Sequence, residues 1–144
     1  MSVFGDIIGG DADSWLNSVP QPSLATIREL LNSGKNLEQV AELWLSQGGT
    51  SNTVPFGGAK PSANLWQKVK SECHKLLCGD SDYKALRLKI EKSWNGSKTT
   101  LIATIAASLS PIVGVAAAVL IPVLGMLLSI IVKIGLNSWC STES

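Results

Sequence analysis

The chain's one histidine, His74, stands beside Cys73 and four residues before Cys78, in the pattern Cys-His-x-x-x-Cys. Thiolate and imidazole are the usual zinc ligands, so this cluster is the first place to look for metal chemistry. Its spacing argues against a site. On a helix, neighbouring residues point about 100° apart, and no fourth ligand lies near in the sequence. Structural roles are expected for these residues, with no metal or other cofactor. The third cysteine is Cys140, and three cysteines in 144 residues form an odd, sparse set. Such usage fits a reducing compartment.

Catalysis has no better footing. No GxSxG nucleophile motif occurs, and no carboxylates are paired in an apolar setting. The four glycines of residues 48–61 are not a phosphate cradle, because no strand and no Gly-Lys-Ser/Thr accompany them. Asn95-Gly96-Ser97 matches a glycosylation acceptor, but only an exported face would use it. In a cytoplasmic turn it is a glycine-containing helix stop. The chain is not expected to be an enzyme.

What remains is physical chemistry. From Thr99 to Val132 no residue is charged, and Lys98 and Lys133 bound the run. An apolar run longer than ~18 residues is a membrane-span candidate. One unbroken helix over this run would be roughly 50 Å long, against a hydrocarbon slab of ~30 Å. Two arrangements absorb the surplus. One is a single kinked span over 112–136 preceded by an interfacial helix; the other is a hairpin with arms 99–113 and 115–136. Pro111 and Gly114 favour a break between arms, and Pro122 a kink in the second. Two polar rows cross the segment. Thr100, Thr104 and Ser108 recur every four residues, as do Gly125, Ser129, Lys133 and Asn137. Such rows share a helix face. They pack helices closely, or they line a water path in an oligomer. Trp94 and Lys98 before the run, and Trp139 after it, stand where interfacial anchors belong.

Charge is unevenly placed around this segment. Residues 1–59 set Arg28 and Lys35 against six carboxylates, a balance of −4, whereas residues 60–98 set nine cations against four carboxylates, a balance of +5. Within the basic block, Lys84, Arg87, Lys89 and Lys92 are expected to face lipid headgroups. A basic block before the span keeps the N-terminal part on the cytoplasmic side. Nucleic acid is not expected as a partner, because no aromatic–basic recognition motif accompanies the charge. No secretory leader is visible at Met1 to Asp6, and Ser2 excludes myristoylation at that position.

The elements before the apolar run read as short amphipathic helices. Ile7 and Ile8 follow Val3 and Phe4; Asp11 to Ser14 can cap a helix carrying Trp15, Leu16 and Val19. Leu24, Ile27, Leu30 and Leu31 share one face, then Asn36 with Gln39 makes a capping-box start for the stripe Leu37, Val40, Ala41, Trp44. Residues 48–61 read as a flexible loop. Leu65, Val69, Cys73, Leu76 and Leu77 form the next stripe, and Tyr83, Leu86, Ile90 and Trp94 the last. No strand pattern and no internal repeat stand out. The expectation is an all-α chain: a helical domain of four to five helices over 1–96, a hydrophobic membrane-inserting hairpin or kinked span over 97–140, and a polar tail over 141–144. This layout resembles that of colicin-type hydrophobic hairpins and of small membrane effectors in bacterial antiviral defence. The resemblance is one of layout and assigns no residue a role. It implies an oligomerising, membrane-permeabilising effector whose partners are a lipid bilayer and copies of itself. The alternative is a membrane-tethered helical adaptor whose N-terminal domain binds a protein. A third possibility keeps the hairpin out of lipid, buried in the protein until activation or in an assembly.

Overall fold

The computed structural model describes residues 7–47 and 62–142. The expected Val3-Phe4 face and the loop 48–61 lie outside the described residues. Among the described residues there are eight α-helices and no strands. In chain order they are α1 (Ala12–Leu16), α2 (Ser23–Asn32), α3 (Leu37–Gln47), α4 (Ser62–Cys78), α5 (Lys84–Ser93), α6 (Lys98–Val113), α7 (Ala117–Ile134) and α8 (Leu136–Thr142). A 3-10 turn, Ser81–Tyr83, joins α4 to α5.

Local chemistry sets the boundaries. At the start of α3, Asn36 Oδ1 accepts from the Gln39 amide at 2.8 Å and Gln39 Oε1 accepts from the Asn36 amide at 2.9 Å, a reciprocal cap. Ser97 Oγ accepts from the Thr100 amide at 3.2 Å and starts α6. Gly114 ends α6 in the left-handed region (φ 77°), where a glycine has no Cβ to clash. Ser110 Oγ closes the turn by donating to the Val115 carbonyl at 2.7 Å. The apolar run therefore breaks at Gly114 into two helices, as in the hairpin arrangement. Pro111 is carried in the last turn of α6 and Pro122 in the second turn of α7.

The fold is built around α7. It packs against α1, α3 and α6, while α4 crosses α3, α5, α6 and α8. The stripes meet on this axis: Trp15 and Leu16 from α1, Val40, Ala41 and Trp44 from α3, and Ile102, Ile105 and Leu109 from α6 are all buried. Burying one such aliphatic or aromatic side chain stabilises the fold by roughly 1.5–3 kcal/mol before conformational entropy is counted. The ion pair Lys70–Glu38 (3.2 Å) joins α3 to α4 at the rim, and within α4 the Lys70 ammonium lies above Trp66 (5.3 Å). Trp44 Nε1 is buried without a hydrogen-bond partner among the described residues.

The closest approach is at Gly125. A Cβ there would overlap Cγ2 of Val19 and come within 3.6 Å of the Trp15 carbonyl oxygen, so α1 and the residues after it lie directly on the α7 backbone. Gly125→Ala is expected to lower the free energy of unfolding by about 1–3 kcal/mol through overpacking. Adding Val19→Ala should recover much of that loss. Urea titration followed by tryptophan fluorescence measures both, and a neutral Gly125→Ala would show that α1 does not seat on α7.

Candidate membrane-inserting hairpin

By length and composition α7 can cross a membrane, yet 56% of it is buried inside the protein. Leu120, Val123, Leu124, Met126, Leu127, Leu128 and Ile131 are all closed off from solvent. Helix α6 is apolar but shorter, with 16 residues. Its covered side holds Leu101, Ile102, Ile105, Ala106 and Leu109, while Thr100, Ala103, Ala107, Pro111 and Ile112 are exposed. Helix α6 thus presents an uncharged outer face of small, hydroxylated and apolar residues and buries its larger aliphatic ones, Ile112 excepted.

The two polar rows do not meet. Thr100 is exposed, Thr104 and Ser108 are half-buried, and the first two line a shallow groove with Ile90, Trp94 and Leu101. Gly125 and Ser129 are buried, whereas Lys133 is exposed. Ser129 and Lys133 line a separate cavity of about 460 Å³ with Leu16, Leu31, Leu37 and Ile130. In this state Gly125 serves close helix packing. Asn137 leaves the second row altogether. Gly135 (φ 99°) ends α7, so Asn137 belongs to α8 and no longer follows the spacing of Lys133 along one helix.

The anchors are also engaged inside the fold. Trp139 is 2% exposed and lies 5.3 Å from the His74 ring. Trp94 is half-buried, and the Lys98 ammonium sits 5.3 Å from the Trp15 ring. Among the basic residues, Lys84, Lys89 and Lys92 are exposed on α5 around Leu88, which is itself 48% exposed. Arg87 differs from them. Its guanidinium donates to the Asp80 carbonyl at 2.9 Å and the Leu76 carbonyl at 3.5 Å, closing the C-terminal end of α4. The exposed set on α5 is therefore the three lysines and Leu88.

The cysteines depart from the sparse set read from composition. Cys78 and Cys140, 62 residues apart, form a disulfide with a Cα–Cα distance of 5.7 Å. This pairing removes the cysteine argument for a reducing compartment. It also disperses the Cys73-His74-Cys78 cluster, since His74 Nε2–H donates to the Cys140 carbonyl at 3.0 Å. Among the described residues no group of three or more His, Cys, Asp or Glu side chains could hold a metal ion. Nothing in the spacing of the cysteines announced the bridge; the folding of α8 back onto α4 creates it.

The fold and this segment define an all-α protein wrapped around an apolar helical hairpin. No family model, curated protein or solved structure matches the chain.

Burial, helped by the nearby Glu72 carboxylate, pushes the Cys73 thiol up to about 12. Tyr83 is likewise pushed up, first by burial and then by its 2.5 Å hydrogen bond to Glu72. A folded-state pKa above the unfolded one gives stability that is complete below the unfolded pKa and lost as pH rises. For Cys73 the loss runs from about 9 to about 12. Unfolding free energy should fall across that window, and Cys73→Ala should flatten the fall. At pH 8 iodoacetamide should alkylate Cys73 only in denaturant, as read by mass spectrometry. Rapid alkylation of the native protein would contradict the burial.

Proposed function

We propose that this protein permeabilises membranes by inserting the α6–α7 hairpin, and that the described fold is its water-compatible form. The observation that carries the reading is α7, a helix able to span a bilayer that lies hidden beneath α1, α3 and α6. A passive tether needs no such cover. A hairpin of two helices cannot enclose water, so permeabilisation requires several copies side by side. The small and hydroxylated outer face of α6, with Ala103, Thr104, Ala107 and Ser108, suits close helix contact between copies. Lys84, Lys89 and Lys92 around Leu88 suit first contact with anionic headgroups, each cation contributing ~1 kcal/mol near the surface.

A second reading has its own support. A helix apolar on all sides also serves as the permanent core of a water-soluble protein, and the fit of Gly125 against Val19 favours such a role.

Flotation with anionic liposomes and release of a trapped dye separate the two. The permeabilising protein floats and releases dye. The combined change Lys84→Glu, Lys89→Glu, Lys92→Glu should cut flotation at least tenfold at low salt. Thr104→Leu should keep flotation and lose release, because it removes a hydroxyl from the contact face without adding charge. A protein that stays soluble, monodisperse and off the vesicles assigns α7 to a permanent core.

A further inference from the structure

Past the C-terminal end of the hairpin the chain is fastened covalently to α4. α7 ends at Ile134, and α8 begins at Leu136 after a single glycine. Helix α8 packs on α4 as well as on α7. At that patch Cys140 is bonded to Cys78, the last residue of α4. Beside the bond, His74 Nε2–H donates to the Cys140 carbonyl at 3.0 Å and the His74 ring meets buried Trp139. The covalent loop of 62 residues contains α5 and the whole hairpin. Both bonded cysteines are half-buried, within reach of a thiol reductant, whereas Cys73 is 1% exposed. Five residues separate Cys73 from Cys78, which turns the two about 140° apart on a helix, so Cys73 is not placed to exchange with the bridge.

We propose that the Cys78–Cys140 disulfide is a redox latch on the apolar hairpin. Intact, it holds α8 on α4 and keeps α7 in the bundle; reduced, it lets α8 and then α7 leave. As a control on insertion, this rests on the membrane reading above. The reductant is a dithiol, either a thioredoxin-like protein or a small molecule. Its thiolate attacks one sulfur of the bridge and the S–S bond breaks, giving a mixed disulfide. Its second thiol then displaces the protein sulfur. Cys78 and Cys140 end as two thiols, having taken up two electrons and two protons, and the reductant ends as a disulfide. A bridge across so long a loop restricts every opened state of the segment between its ends. Once it is cut, noncovalent contacts alone hold α8, among them the His74 hydrogen bond and the Trp139 ring contact.

The test uses the full chain, oxidised and after dithiothreitol. Hydrogen exchange read by mass spectrometry should quicken at least tenfold over 117–142 on reduction and stay slow over 62–78. Flotation with phosphatidylglycerol-containing vesicles should rise at least fivefold. Cys140→Ser should match the reduced protein without reductant, and Cys73→Ser should still respond to it. Exchange that quickens equally in every helix, or not at all, overturns the latch and leaves a general staple. Oxidised protein that floats and leaks as fully as reduced protein also overturns it, while the membrane reading stands. Selective opening of 117–142 with no flotation in either state supports the latch and overturns the membrane reading.

Discussion

Everything in this fold answers to one constraint: α7 is apolar on every side and, in water, must be covered. An ordinary surface helix needs cover along one stripe only. Here Leu120, Leu124 and Leu128 and the intervening Val123, Met126 and Leu127 are all buried, so cover has to come from several directions. The short helix α1 supplies Trp15 and Leu16, α3 supplies Val40 and Trp44, and α6 supplies Ile102 and Leu109. None of these elements has enough apolar surface for a core of its own. Their stability comes from α7, as the solubility of α7 comes from them. Small helices of this kind are marginal in isolation, so losing the central helix takes away the common surface on which the others pack.

That mutual dependence gives the membrane reading its physical logic. Moving α7 from the protein into hydrocarbon exchanges one apolar surrounding for another, so the helix itself gains or loses little. The change falls on the covering helices, whose stripes are then exposed. Amphipathic helices so exposed find a second use at a bilayer surface, with apolar faces down and basic residues at the headgroups. Helix α5 already presents Lys84, Lys89 and Lys92 around exposed Leu88 while the hairpin is still covered. The order of events that this arrangement allows is contact first and exchange of the core second.

Much of the fold was legible in the sequence because its signals are local. The αα pairing of α2 and α3 rests on Asn36 and Gln39, which cap each other within one turn. The hairpin break follows from a glycine placed where only a left-handed residue ends the turn, Gly114. The illegible part is what distant segments do to one another. Gly125 looks like one more small residue in a polar row until Val19, more than a hundred residues earlier, is laid against it. Arg87 looks like another lysine-type surface cation until the Asp80 and Leu76 carbonyls claim it. Trp139 has the position of an interfacial anchor, but Gly135 turns the chain and α8 carries the ring inward to His74. In each case a residue type with two legitimate uses was decided by a partner far along the chain.

The placement of the bridge is the last step in the same argument. A disulfide between two covering helices would have stiffened the cover and left the central helix bound only by packing. A bridge within the hairpin would have locked α6 to α7 and done nothing to keep the pair in the bundle. The bond from Cys78 to Cys140 does neither. It joins the C-terminal end of α4, which packs on the covering helices α3 and α6, to the helix immediately after α7, so the covalent restraint acts at the exit of the apolar segment. Both ends of the hairpin are thereby kept on the same side of the fold, with α5 leading into α6 and α8 leading out of α7 beneath one helix, α4. A single span that carried Cys140 to the far side of a slab ~30 Å thick would have to break that bond. A hairpin that enters with both ends together need not carry the bond across the slab, but it must still draw α8 away from α4, and the intact bond resists that step.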